Sequence, residues 1–216
     1  MQSNQGTEAW FKSRLGRFTA SQISRLIPLS RDKKSLGSGA YTYIKEKVAE
    51  IISGSDDRFS NAATERGNNL EAEAVAYYEK KTGNTVYVPA FIPYGEFSGG
   101  SPDGLVMLNK TIQIKCPAKR ANHVEFLMMQ ESEDLKKIEA KYWWQVQMEM
   151  LATGRPFCDF VSYHPDFPEP YRLKILTVHA SQEDQEILKD RIEKAAAILT
   201  EMVSNIRNAN HLNSNV

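Results

Sequence analysis

Between Gly99 and Pro117 the backbone is punctuated so heavily that only tight turns and short strands are open to it. Gly99, Gly100, Pro102 and Gly104 surround Asp103, Leu105 to Leu108 form a brief apolar run, and Asn109-Lys110 reads as a two-residue hairpin turn. The returning segment, Thr111 to Lys115, has a period of two. Ile112 and Ile114 face one side, while Gln113 and Lys115 face the other. A polar pair therefore shares one face of a strand whose opposite face is apolar. A two-residue hairpin puts Asp103 on the isoleucine face, so a bend at Pro102-Asp103-Gly104 is expected to bring its carboxylate to Gln113 and Lys115.

Around this hairpin the chain alternates helices and strands. Thr7 to Leu15 reads as a short helix, and Phe18 to Ile27 as a second one with Thr19 as its N-cap and Pro28 after it. Amphipathic helices are expected over Ala40 to Ile52 and from about Asn61 to Lys81, the latter ending at Gly83. Thr85 to Tyr94 reads as a strand. A helix through His123 to Met129 and another over Lys136 to Ala152 precede two strands, Phe157 to His164 and Tyr171 to Val178. A charged helix from Gln182 to about Ile206 closes the chain. This order implies an α/β fold, a mixed central β-sheet flanked by helices. The 216 residues fit one domain, with 1–6 and 208–216 expected to be flexible.

Lysine plus arginine and aspartate plus glutamate are equal at 27 each, so attraction to nucleic acid must come from local patches rather than net charge. That weighs against a protein that coats DNA. No run of apolar residues is long enough to span a membrane and no secretory signal opens the chain. Cys116 and Cys158 lack metal-site spacing and read as reduced thiols of a cytoplasmic protein. His123, His164, His179 and His211 are scattered without ligand spacing.

Ser101-Pro-Asp-Gly104 followed by Gln113-Ile-Lys-Cys-Pro117 resembles the core of the PD-(D/E)xK nucleases. It takes the form that lambda-type phage exonucleases carry, Ser-Pro-Asp-Gly and then Glu-x-Lys-Cys-Pro. The block from Trp10 to Ser21 resembles the N-terminal motif of the same family. In Arg66-Gly-Asn-Asn-Leu-Glu71, Gly67 and Glu71 match a further one, and Gln145-Val-Gln147 another. The resemblance runs from about Trp10 to His179.

The resemblance implies a restriction-endonuclease-like core and hydrolysis of one strand of linear double-stranded DNA from its 5′ end. It assigns metal ligation to Asp103, position 113, the main chain at Ile114 and Glu71, and the attacking water to Lys115 and Gln145. It gives the 5′ phosphate to Arg14, Ser21 and Ser101, and duplex contacts to Arg31, Lys33 and Lys34. Two Mg²⁺ ions per site (Mn²⁺ as a substitute), a homotrimer, a single-strand annealing protein as partner and a phage or prophage origin in a bacterial host follow from it as well. Hard cations suit the reaction, because phosphodiester cleavage develops charge at the attacking and leaving oxygens.

One position departs from the family, since Gln113 stands where the motif has Glu. Losing that formal charge weakens a divalent-cation site. Either the chain carries an inactivating substitution, which the intact surroundings favour, or Gln113 is native and another carboxylate compensates. Two alternatives stand beside this reading: a structure-specific endonuclease with the same core, against which the block bearing Arg14 and Ser21 argues, and a non-catalytic protein that binds DNA ends, for which Gln113 speaks.

Overall fold

The computed structural model describes residues 5, 7–55 and 63–213. In chain order the elements begin with helix α1 (Glu8–Arg14), strand β1 (Phe18–Thr19), a 3₁₀ helix (Ala20–Leu26), α2 (Ser38–Ser53) and α3 (Ala63–Thr82). Five strands follow: β2 (Val86–Tyr87), β3 (Ile92–Tyr94), β4 (Ser98–Gly100), β5 (Gly104–Val106) and β6 (Lys110–Lys115). Then come α4 (Arg120–Met128), α5 (Ser132–Ile138), α6 (Ala140–Thr153), β7 (Phe157–Tyr163), β8 (Leu173–His179) and α7 (Gln182–Asn213).

The fold is mixed α/β, with its strands in two sheets rather than the single one expected. Five strands in the order β2-β5-β6-β7-β8 form the larger sheet, in which only β6 and β7 run parallel. The smaller sheet is β1-β4-β3, with β1 parallel to β4. The expected strand from Thr85 to Tyr94 is divided between the two. Pro89 lies in the break, where it has no N–H to donate to a ladder, and Pro93 is accommodated because β3 is an edge strand.

The central hairpin turns through Met107-Leu108-Asn109, not Asn109-Lys110, with Met107 at φ +50° and Val106 paired to Lys110. The expected register is thereby shifted by an odd number of residues, which exchanges the two faces. Gly104 pairs with Ile112, so one residue further Asp103 stands opposite Gln113. No bend at Pro102 is needed to bring them together. Gly104 itself must lack a side chain, because a Cβ there would lie 2.7 Å from Ile112 Cγ2.

The alternation along β6 sorts its side chains between two cores. Ile112 and Ile114 join Val161, Tyr163 and Leu173 against Ala74 and Tyr78 of α3. Phe160, which pairs with Gln113, joins Trp143, Val146 and Met150 of α6 on the opposite face. Gln113 and Lys115 therefore point to α6. That helix is buried on nearly all sides between Gln145 and Met150, since the 3₁₀ helix, α7 and the small sheet cover its back.

Phe18 to Ile27 is a strand followed by a 3₁₀ helix rather than one α-helix. Ala20, Ile23 and Leu26 are its buried residues, and a spacing of three forms one face only when the helix has three residues per turn. The Thr19 side chain makes no cap, and its N–H donates to Tyr43 Oη at 3.0 Å. Beneath it Lys47 and Glu50 form a buried ion pair of 2.6 Å, whose carboxylate also accepts from Gly16 N–H at 2.9 Å. Removing one partner of such a pair leaves a buried charge uncompensated, so these residues hold the N-terminal block in place.

Two terminal expectations change. Helix α7 runs past Ile206 to Asn213, anchored by Leu188, Ile192, Ala195, Leu199 and Val203 at helical spacing. Gln5 is tied down, its Nε2 donating to Pro89 O at 3.2 Å and Pro102 O at 3.0 Å. Residues 1–4, 6 and 214–216 of the segments expected to be flexible lie outside the described residues. Among the described residues no helix is long and apolar enough to cross a membrane.

Candidate active site

The entry to β5 and helix α6 meet on the face of β6 that carries Gln113. Asp103, at the entry to β5, has its Oδ2 held by Ile114 N–H at 2.6 Å and by Gln113 Nε2. Gln113, 2% exposed, turns its Oε1 to Gln145 Nε2 on α6 at 2.7 Å. The same nitrogen donates to Glu149 Oε1 at 2.9 Å, and Lys115 Nζ approaches Gln145 Oε1 at 3.4 Å. The result is a continuous chain from Asp103 through Gln113 and Gln145 to Glu149, flanked by a lysine whose ammonium lies 4.7 Å from the centre of the Tyr142 ring.

Glu71 of α3 is near enough to Asp103, Lys115 and Cys116 for their charges to act on one another. Burial first, then the negative charge of Asp103, holds its carboxyl above the usual range, with Lys115 opposing. Burial likewise raises Asp103 despite Lys115, the Ile114 N–H and the Gln113 amide. Glu149 is pushed up to about 8 by burial and by Asp103. Three carboxyls are thus kept in a region where negative charge is unfavourable, with one lysine among them.

That electrostatic arrangement gives stability a pH dependence. The folded metal-free chain retains protons on these carboxyls after the unfolded chain has released them, so ν_N exceeds ν_U and stability falls as pH rises. The melting temperature measured in chelator is expected to decline from about pH 5 to about pH 8, then level off above the raised value of Glu149. A flat profile over that window rejects the raised values.

The donor set fits a divalent cation, as the resemblance requires. Carboxylate and amide oxygens are hard ligands, and Glu149 Oε2 is buried with no hydrogen-bond partner. Among the described residues no three His, Cys, Asp or Glu side chains are gathered closely enough to enclose an ion as they stand. The Gln113 and Gln145 amides are interposed between Asp103 and Glu149, so the two carboxyls are bridged by amides rather than in contact.

Arg14 and Ser101, two of the residues expected to bind the 5′ phosphate, lie near this group. Ser101 Oγ accepts from Arg14 Nη1 at 3.1 Å and from Trp10 Nε1 at 3.0 Å, and the Arg14 guanidinium lies 4.1 Å over the Trp10 ring. Ser101 is two residues from Asp103, and the charge of Arg14 reaches Glu149. Strand β1 pairs Thr19 with Gly99, which sets Ser21 at the start of the 3₁₀ helix beside the segment bearing Ser101. The Ser21 hydroxyl lies 3.5 Å from Thr19 Oγ1. Arg31, Lys33 and Lys34 stand apart in an exposed loop closed by a Leu29–Leu36 bridge, where Asp32 accepts from the N–H groups of Lys34 and Ser35.

Within Gln145-Val-Gln147 the helix separates the two glutamines. Gln147 faces away, donating to His179 O at 2.8 Å and accepting from Ser181 N at 2.9 Å. Lys141, one helical turn before Gln145, is exposed. Trp143 is core, with its Nε1 on Asp184 at 3.0 Å. His123 is held between Ser162 Oγ and Tyr171 O, away from the carboxyls. Sequence reasoning missed Glu149 and Trp10. The four-residue spacing from Gln145 to Glu149 was a signal for the first; for the second there was none beyond membership of its block.

The YqaJ-like viral recombinase domain family matches residues 9–156. An alkaline exonuclease, LHK-Exo, from Laribacter hongkongensis superposes with a TM-score of 0.80 at 29% identity, over 95% of this chain and all of its own. The same protein in complex with dAMP matches at 30% identity, again with TM-score 0.80 and the same coverage of both chains. A phage-related exonuclease from Haemophilus somnus 129PT shares the fold, with TM-score 0.73 at 18% identity over 88% of this chain and 96% of its own. No curated protein matches the chain.

Proposed function

The chain belongs to the YqaJ-like viral recombinase family, and from that membership we propose that it is a metal-dependent exonuclease. It degrades one strand of linear double-stranded DNA from the 5′ end and leaves 3′ overhangs for recombination by strand annealing. A nuclease role is what the family and its alkaline exonuclease relative support. The observation that carries the finer reading is the buried Asp103–Gln113–Gln145–Glu149 chain next to the Arg14–Ser101 pair. Acidic and anion-binding groups stand side by side there, as cleavage next to a terminal phosphate requires.

Asp103, the side chain at 113, the Ile114 carbonyl and Glu71 are the residues to hold Mg²⁺ or Mn²⁺, two ions per site. When bound, these ions neutralise charge at the attacking and leaving oxygens. Lys115 and Gln145, joined at 3.4 Å, orient the attacking water. Arg14 offers a guanidinium fork, and Ser21 and Ser101 hydroxyls, to the 5′ phosphate. Arg31, Lys33 and Lys34 steer the duplex, a homotrimer threads it, and an annealing protein receives the overhang. Gln113, an amide in the acid's position, makes this chain an impaired copy.

The test is digestion of 5′-phosphorylated linear duplex against covalently closed circles, with Mg²⁺ and a Gln113→Glu companion. Sparing of the circle supports an exonuclease, and cutting it supports the endonuclease alternative. Silence of both chains on every DNA end supports a non-catalytic end-binding protein. Arg14→Ala is expected to lower the preference for 5′-phosphate over 5′-hydroxyl ends by about 10- to 100-fold, the worth of charged hydrogen bonds of about 1.5–3 kcal/mol. An unchanged preference removes Arg14 from the pocket.

A further inference from the structure

We propose that Glu149 is a metal-site residue, its carboxylate standing beside Gln113 and supplying negative charge that the amide at 113 lacks. This rests on the reading of the site as a metal-dependent nuclease. It extends that reading to a side chain the family motifs do not include.

Three observations carry it. First, Glu149 is 1% exposed, yet its Oε2 has no partner. A buried carboxyl oxygen left unpaired is costly unless something absent from the protein itself satisfies it. A cation ligated by oxygens does so. Second, Glu149 Oε1 and Gln113 Oε1 both accept from Gln145 Nε2, at 2.9 and 2.7 Å. The two oxygens are therefore within two hydrogen-bond lengths of each other, which places Glu149 next to the ligand position rather than elsewhere in the core. Third, the backbone leading to Asp103 is shaped around this side chain. A Cβ on Gly100 would lie 3.1 Å from Glu149 Cγ and 3.3 Å from Ala20 Cβ, so the glycine in β4 lets the backbone pass close against this glutamate.

A structural core acid and a metal-site acid make opposite forecasts. If Glu149 only supports Gln145, replacing it with glutamine keeps the acceptor and the shape, and cation affinity stays where it was. If Glu149 faces the cation, the same change removes a ligand charge while relieving the metal-free protein of a buried acid.

The experiment is calorimetric titration of Mn²⁺ into the full chain without DNA, for the parent and Glu149→Gln and for both in a Gln113→Glu background. Melting temperatures in chelator are measured alongside. Glu149→Gln is expected to weaken Mn²⁺ binding by about tenfold or more in either background, while the metal-free melting temperature holds or rises. Affinity within about twofold of the unsubstituted chain in both backgrounds overturns the proposal, as does binding by the Gln113→Glu chain alone that ignores residue 149. Should Glu149→Gln fail to fold, Glu149→Asp withdraws the carboxylate by one methylene, and unchanged affinity there is equally decisive. Absence of Mn²⁺ binding by parent and Gln113→Glu alike defeats instead the metal-dependent reading on which the inference stands.

Discussion

Gln113→Glu is expected to raise the Mg²⁺-dependent degradation of linear, 5′-phosphorylated duplex DNA by about 10²-fold, equivalent to ~3 kcal/mol of transition-state stabilisation. The amide now in this position accepts from Gln145 at 2.7 Å and donates to Asp103, so it satisfies the site without any cation. A carboxylate cannot donate to Asp103. In the metal-free protein it adds a buried negative charge beside another, and the fold becomes less stable by about 1–3 kcal/mol, the penalty of an unsatisfied polar group. With cation bound the same charge becomes favourable. The substitution therefore has a double signature: a lower melting temperature in chelator and a larger rise on adding Mg²⁺, together with the gain in rate. A rate unchanged from the parent removes position 113 from the ligand set.

Asp103→Asn, made in the Gln113→Glu chain where activity is expected to be highest, is expected to lower the rate by about 10³-fold or more, ~4 kcal/mol. Asparagine keeps an oxygen for the Ile114 N–H, which now sits 2.6 Å from the carboxylate, so the hairpin is retained. What is lost is the charge of the one acid that the backbone fixes directly opposite position 113. Lost activity with a melting temperature in chelator that holds or rises, as relief of the buried like-charge pair predicts, assigns the effect to chemistry. Retention of more than about a tenth of the rate overturns the ligand role of Asp103.

Local signals in the chain reached the site unevenly. The alternation of Ile112 and Ile114 with Gln113 and Lys115 was legible, because a strand has period two whatever surrounds it. The partner of that face was not. An odd shift in hairpin register, set by Met107 adopting φ +50° in a three-residue turn, decides which side Asp103 occupies. Helix α6 misled for a related reason. Amphipathic reasoning looks for one apolar face and one wet face, whereas Gln145, Val146, Gln147, Met148, Glu149 and Met150 are all buried. Glu149, which the motifs do not single out, is the most enclosed acid of the site, its unpaired oxygen invisible until neighbours were in place. The 3₁₀ helix repeats the lesson: Ala20, Ile23 and Leu26 are spaced for three residues per turn, but only burial shows that this spacing, rather than the capping residue Thr19, governs the segment.

By itself the sequence determined the α/β class, the hairpin of Asp103 and Lys115, and the motif residues that tie the chain to its family. These follow from local rules, in which periodicity, turn residues and side-chain chemistry act over a few positions. Tertiary structure alone decided that the strands part into two sheets and that Asp103 stands opposite Gln113. It also decided that Glu149 lies beside Gln113 and Gln145. Each of those depends on which distant surfaces are packed together, and burial, which sets both register and charge, is a property of the whole packed chain.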